Sequence, residues 1–310
     1  MKRNGLNLLF ASTKEDPQRW RRLLEPALPQ DRFFAWPDVN GGDIDVALVA
    51  THPKGTFAQL PRLKLIQSLW MGVENILADT EVPRSVPLAR LIDPGMVHAM
   101  AETVIASVLD WHRHRYAYRA QQHERKWKAL AQLLPSDRTV GLLGLGELGS
   151  YAAAKLLALG FQVCGWSRRP KSIAGVHCST DLDEVVSKSQ ALVCLLPLTA
   201  QTRGVLNARA FSRMPKGGCI INLARGAHVV MADLLAALDS GQLAHAYLDV
   251  FDTEPLPADA PLWAHPGVTI TPHIAALTEP RTAVPKIVEN IERVRRGAAL
   301  LNLVDREAGY

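Results

Sequence analysis

A chain of 310 residues with 48% hydrophobic and 21% charged side chains is long enough for two ordinary domains and too apolar to remain disordered. Its net charge of +5 is scattered apart from Arg19 to Arg22, His112 to Arg119 and Arg293 to Arg296, which suits solvated helix faces or a small anionic substrate and no nucleic acid. Four cysteines, Cys164, Cys178, Cys194 and Cys219, form no Cys-x-x-Cys pair and lie mostly in apolar segments, so neither a disulfide framework nor a zinc site is indicated.

In chain order, the start Met1-Lys-Arg before Leu6 to Phe10 has too short an apolar run for a secretory leader, and nothing later approaches a membrane span. A cytoplasmic protein is expected. Short apolar runs at Leu6 to Phe10, Val46 to Ala50, Leu63 to Leu69 and Leu88 to Ile92 are expected to be buried strands joined by crossovers. From Met96 to Trp111, the apolar residues Val97, Met100, Ala101, Val104, Val108 and Trp111 follow helical spacing and predict a long helix linking two sheets. A second strand series is expected at Thr139 to Leu145, Gln162 to Trp166, Leu192 to Leu196, Cys219 to Leu223, Ala246 to Val250 and Val268 to Thr271. Helical stretches alternate with it at Leu148 to Leu159, Ala208 to Met214 and Ala232 to Leu238. This is the pattern of an α/β protein with doubly wound parallel sheets. Residues 103–277 are expected to form one domain, and residues 1–102 with 278–310 a discontinuous other, to which the helical stretch Thr282 to Val294 returns.

Gly144, Gly146 and Gly149 follow the apolar strand and open a helix rich in Ala and Leu, the context a dinucleotide-binding turn requires. Gly144 permits the tight turn, Gly146 the approach of a pyrophosphate to the backbone, and Gly149 the close packing of helix on strand. Glu147 and Leu148 complete the cofactor-facing turn. A glycine turn that binds nothing is the bland alternative to such a motif. About 20 residues further on, where an acid usually holds the ribose hydroxyls of NAD, this chain has Ser167, Arg168 and Arg169. A hydroxyl and two guanidiniums donate to the oxygens of a 2′-phosphate, so NADPH is expected as cofactor, with NADH weaker.

Polar residues leave the ends of later strands at Asn222-Leu-Ala-Arg-Gly226, Asp249-Val-Phe-Asp-Thr-Glu-Pro255 and Thr271-Pro-His-Ile-Ala275. With the glycine turn, these segments resemble the D-isomer-specific 2-hydroxyacid dehydrogenases over nearly the whole chain. Trp166-Ser-Arg, Ala224-Arg-Gly-Ala-His-Val-Val230, Pro261-Leu-Trp-Ala-His-Pro266 and the terminal Asp305-Arg-Glu-Ala-Gly-Tyr310 are most similar to the bacterial glyoxylate/hydroxypyruvate reductase A subfamily. The resemblance implies a Rossmann domain plus a discontinuous flavodoxin-like substrate domain, and NADPH-dependent reduction of small 2-keto acids. It implies His273 as proton donor, Glu254 as the carboxylate that favours its charged form, and Arg225 as the clamp on the substrate carboxylate and keto oxygen. It also implies that Leu196, Pro197, Thr202, Leu223, Ala224 and Asp249 line the cofactor. Singly, His273, Glu254 and Arg225 also read as a strand-end cap, a turn acid and a surface ion-pair partner.

Leu69-Trp-Met-Gly-Val-Glu74 resembles the family loop whose backbone amides hold the substrate carboxylate, which makes Met71, Gly72 and Val73 substrate-side candidates with Arg225 and His273. Trp70 and Met71 depart from the smaller family loop; they either turn inward and favour short substrates or fill the core. His52 resembles a subfamily position near the pocket, although a loop histidine is more often exposed. Trp127 resembles an aromatic in the arm that family dimers exchange, or else anchors a helix. A homodimer through residues about 100–135 is expected. His98, His112, His114 and His123 read as a solvated helix face rather than a metal site. Two alternatives stay open: a related dehydrogenase for a larger acid such as phosphoglycerate, and a non-catalytic nucleotide-sensing protein.

Overall fold

In the computed structural model, which describes residues 5–37 and 43–310, the chain divides into two units, Met1–Met96 with Thr278–Tyr310 and Val97–Leu277. The basic start at Lys2 and Arg3 lies outside the described residues.

The first unit begins with β1 (Asn7–Ser12), α1 (Pro17–Ala27), β2 (Arg32–Ala35), β3 (Val46–Ala50), β4 (Leu65–Ser68), α2 (Glu74–Ala78) and β5 (Leu88–Ala89). Its five strands are parallel in the order β2-β1-β3-β4-β5. Leu8, Leu9, Val46 to Val49, Leu65 and Ile66 are fully buried, as a sheet covered on both faces requires. Helix α1 starts because Asp16 accepts the Gln18 N–H at 2.9 Å and Pro17 presets the first turn. It buries Trp20 and Leu24, each contributing about 1.5–3 kcal/mol.

Helix α3 (Pro94–His112) starts in the first unit and runs into the second. There follow α4 (Arg115–His123), β6 (Thr139–Leu143), α5 (Glu147–Ala158), β7 (Gln162–Trp166), β8 (Val176–Ser179), α6 (Leu182–Lys188), β9 (Ala191–Cys194), α7 (Ala208–Arg213), β10 (Gly218–Asn222), α8 (Met231–Asp239), β11 (Leu243–Leu248) and β12 (Val268–Ile270). All seven strands are parallel, in the order β12-β11-β10-β9-β6-β7-β8. Side chains alternate across this sheet. Val140, Leu142, Val193, Ile221 and Tyr247 pack with α3 and α5, whereas Leu143, Cys194, Ile220 and Leu248 pack with α6, α7 and α8.

The chain returns to the first unit through α9 (Pro280–Arg296), capped by Glu279 and ended by Gly297 at φ 64°. Buried Asn290 donates to Gln67 Oε1 at 2.8 Å and accepts from Leu301 N at 2.8 Å, tying the helix and the tail after it to β4.

Several expected elements need correction. The strand expected at Leu88 to Ile92 ends at Ala89 because the Arg90 and Leu91 N–H groups turn to Asn302 O and Trp70 O. Strands β2 and β8 escape an apolar-run search because they are four-residue edges with half-exposed side chains. Helices α1 and α4 are largely polar, and α2 and α6 are five and seven residues long, too short for periodicity to emerge. His112 is not on a solvated face: it is 3% exposed and packs edge-on against Phe161. The basic clusters are taken up locally, Arg19 by Glu279, Arg119 by Asp110 and Arg295 by buried Asp31. Among the described residues, no group of three or more His, Cys, Asp or Glu is placed to hold a metal ion, and no helix is long and apolar enough to cross a membrane.

Candidate active site

The glycine turn joins β6 to α5 between β7 and β9, where the strand order reverses, the position at which open α/β sheets bind ligands. Gly144 sits at φ 104°, and a Cβ there would lie 2.9 Å from Leu195 O. At Gly149 a Cβ would lie 1.9 Å from Gly144 O, so the helix approaches the turn as closely as backbone permits. A Cβ on Gly146 would meet nothing within 4 Å. It sits open at the N-cap of a twelve-residue helix, whose free N–H groups favour an anion. Ser167 donates to Arg169 O at 2.8 Å, and Arg168 and Arg169 are exposed after β7. Lys171, a lone loop lysine with no sequence signal of its own, donates its ammonium to Leu145 O of the glycine turn.

Across the switch point, Leu196 is buried and Thr202, 8% exposed, donates to Pro197 O at 2.7 Å while accepting the Thr199 N–H at 2.8 Å. Thr202 therefore shapes the loop that carries Leu196 and Pro197. Leu223 and Ala224 follow β10 and are buried. Asn222, fully buried, accepts the Ala224 N–H and donates to Arg225 O at 2.9 Å. Buried His228 accepts the Arg225 N–H at 3.2 Å. Gly226 lies against the next loop: a Cβ there would be 2.1 Å from Phe251 C. Asn222, Gly226 and His228 carry no functional signature in the sequence, since support of a neighbour's backbone leaves no pattern of its own.

His273 and Glu254 come together from two loops, Nδ1 to Oε2 at 2.7 Å, with side chains 49% and 35% exposed. Glu254 Oε1 accepts the Phe251 N–H at 2.9 Å, which aims the carboxylate. His273 holds φ 54°, a left-handed conformation that costs a non-glycine residue about 1–3 kcal/mol. Its N–H donates to Asp249 O at 2.8 Å. The Asp249 carboxylate, 1% exposed, accepts from Thr271 Oγ1 at 2.6 Å and from Ile274 N and Ala275 N, both at 2.9 Å. That carboxylate is therefore the clasp of the His273 loop. Through the contact of Gly226 with Phe251, the Arg225 turn abuts the Glu254 loop, so a guanidinium, a carboxylate and an imidazole share one edge of the seven-stranded sheet. Such a set orients a carboxylate substrate and delivers a proton.

In the first unit, Met71 and Gly72 follow β4 half-exposed, with Val73 buried. Trp70 is not core filler: it is half-exposed, and its indole donates to Glu15 Oε1 at 2.9 Å. His52 is not an exposed loop histidine: its side chain is 5% exposed and pairs with Asp79 at 2.7 Å. That hydrogen bond holds the Asp79 carboxyl below its ordinary range. Trp127 anchors no helix; it is fully exposed in the stretch after α4.

A dinucleotide-dependent oxidoreductase is the class that this fold and this edge define. Residues 105–275 match the model of the D-isomer specific 2-hydroxyacid dehydrogenase NAD-binding domain. A D-isomer specific 2-hydroxyacid dehydrogenase from Xanthobacter autotrophicus Py2, solved with NADPH and MES, is 41% identical, with a TM-score of 0.94 over 98% of this chain and 99% of that one. The NADPH-dependent glyoxylate/hydroxypyruvate reductase of Sinorhizobium meliloti, solved with NADP and sulfate, is 36% identical, with a TM-score of 0.91 over 98% of this chain and 100% of that one. A probable 2-hydroxyacid dehydrogenase from Rhizobium etli CFN 42, solved with NADP, HEPES and L(+)-tartaric acid, is 33% identical, with a TM-score of 0.90 over 99% of each chain. This chain belongs to the D-isomer specific 2-hydroxyacid dehydrogenase family and is an NAD(P)-dependent oxidoreductase.

Proposed function

We propose that this chain uses NADPH to reduce small 2-keto acids, glyoxylate and hydroxypyruvate, to the corresponding 2-hydroxy acids. The observation that carries the reading is the His273–Glu254 pair at 2.7 Å beside the Arg225 turn. Bound NADPH supplies the hydride. Arg225 clamps the substrate carboxylate and draws electron density toward the keto oxygen. His273, with Nδ1 engaged by Glu254, keeps Nε2 for the reacting oxygen and donates the proton as negative charge develops there. Asp249 acts by holding the His273 loop, while backbone amides around Met71, Gly72 and Val73 receive the substrate carboxylate.

NADPH is favoured by Ser167, Arg168 and Arg169 standing where an acid would repel the 2′-phosphate, with Lys171 a further cation beside the turn. The relatives solved with NADPH or NADP support the same choice. The cofactor domain is residues 103–277 and the substrate domain residues 1–102 with 278–310. The protein works as a cytoplasmic homodimer through residues about 100–135, where Trp127, Leu133 and Leu134 are exposed. Loss of NADPH absorbance on adding glyoxylate or hydroxypyruvate tests the reaction, and no loss with either refutes it. Light scattering at micromolar concentration tests the dimer, which a monomer mass refutes.

A further inference from the structure

The five-stranded sheet of the first unit has its own reversal of strand order, between β1 and β3, so the loops leaving the ends of these strands border a crevice of the kind that receives ligands. Three loops meet there. Thr13, after β1, donates its N–H to Thr51 O at 3.1 Å, after β3. Trp70, after β4, reaches back to the β1 loop and donates its indole N–H to Glu15 Oε1 at 2.9 Å. The other oxygen of Glu15 accepts the indole N–H of Trp20 at 3.1 Å, and Trp20 is fully buried. Glu15 is itself placed by its N–H, which donates to Ser12 Oγ at 2.9 Å. At the far end, the backbone of Trp70 is clamped by Ser68, whose hydroxyl accepts the Trp70 N–H at 3.1 Å and donates to Trp70 O at 2.8 Å. An aromatic ring held at both its backbone and its indole nitrogen is a rigid surface, and Trp70 stays half-exposed two residues before Gly72.

We propose that Trp70 is the specificity-determining wall of the substrate subsite and that Glu15 is the positioning residue that locks it. The inference rests on the 2-keto acid reading above and deepens it. A substrate whose carboxylate is received by the amides around Gly72 would turn the substituent on its keto carbon toward the indole. The wall accepts hydrogen or a hydroxymethyl group and obstructs a branched or aromatic one. Glu15 touches no substrate; it acts by spanning core Trp20 and crevice Trp70, which removes the rotamer freedom that would let the ring swing aside.

The test is the ratio of kcat/KM for phenylpyruvate and for ketoisocaproate to that for glyoxylate, with NADPH, in wild type, Trp70→Ala, Trp70→Phe, Glu15→Ala and Glu15→Gln. Trp70→Ala is expected to raise both ratios about tenfold or more, the scale on which hydrophobic pockets discriminate size, chiefly by lowering KM for the larger acids. Glu15→Ala and Trp70→Phe break the same hydrogen bond and are expected to raise the ratios by a smaller, matching amount. Glu15→Gln has one acceptor oxygen in place of two and keeps a partner for Trp70 only by turning its NH2 toward Trp20, so its ratios are expected to fall between wild type and Glu15→Ala. NADPH affinity and melting temperature show that each variant is folded, and Trp70→Phe serves if Trp70→Ala is not. Ratios within twofold of wild type in folded Trp70 variants overturn the wall, and Glu15→Gln behaving like Glu15→Ala overturns the lock. A wild type that oxidises no NADPH with glyoxylate overturns the underlying reading and the inference with it, an outcome visible before any variant is made.

Discussion

His273 Nδ1 lies 2.7 Å from Glu254 Oε2, and the remaining Glu254 oxygen is bound by the Phe251 N–H at 2.9 Å. The carboxylate is thereby aimed at the imidazole by its own loop. His273→Ala is expected to lower kcat about a hundredfold or more, the usual scale for a general acid. Glu254→Gln is expected to lower it about tenfold or more, since a neutral amide holds the imidazole Nδ1 less firmly than a carboxylate does. Steady-state kinetics at saturating NADPH checks both, and near wild-type turnover in His273→Ala removes that residue from the reaction.

Arg168 and Arg169 are exposed beyond β7 with no acid among them. Arg168→Ala and Arg169→Ala are expected to raise KM for NADPH about tenfold each, near the energy of one charge-assisted hydrogen bond, and to leave KM for NADH within about twofold. Kinetics with the two cofactors reads the difference. Equal kcat/KM values for both cofactors in wild type would contradict the assignment.

Two glycines of the turn are expected to respond differently. An added Cβ at Gly149 would lie 1.9 Å from Gly144 O, whereas at Gly146 it would meet nothing within 4 Å. Gly149→Ala must move backbone and should cost stability by about 1–3 kcal/mol. Gly146→Ala should melt close to wild type yet bind NADPH weakly, because its methyl occupies the space the pyrophosphate needs. Thermal melts with and without NADPH separate the two effects.

His245 is 2% exposed, bonded through Nε2 to Thr269 Oγ1 at 2.8 Å, stacked on Tyr116 and left with a buried Nδ1 that has no partner. Burial first, and Arg119 second, push its pKa down to about 4, against the smaller pull of Asp110. The unfolded chain therefore takes up a proton that the folded one refuses. The resulting stability is fully present above about pH 6.5 and is lost as pH falls toward 4, by an amount on the order of 3 kcal/mol. Urea midpoints between pH 7.5 and 4.5 should fall more steeply for wild type than for His245→Phe, and parallel slopes would refute the assignment.

The central strands were legible because a sheet covered on both faces demands continuous apolar runs, and β1, β3, β6, β9 and β10 supply them. Edge strands β2 and β8 bury little and therefore carry little pattern. The glycine turn was legible for a local reason: three glycines within six residues answer to backbone constraints that neighbouring residues impose. Support of a functional loop by a polar side chain was not. Asn222 holds the Arg225 turn and Asp249 clasps the His273 loop, yet neither could be told from an ordinary strand-end polar residue until its partners were in place.

By itself the sequence determined the class of protein, since strand periodicity, the glycine spacing and the order of Arg225, Glu254 and His273 are properties of neighbours along the chain. Only the tertiary structure decided what Trp70 does, because its hydrogen-bond partner, Glu15, is 55 residues away. Whether an indole fills a core or stands at the edge of a crevice depends on which loops the sheet brings together. That is set by strand order, and no local pattern encodes it.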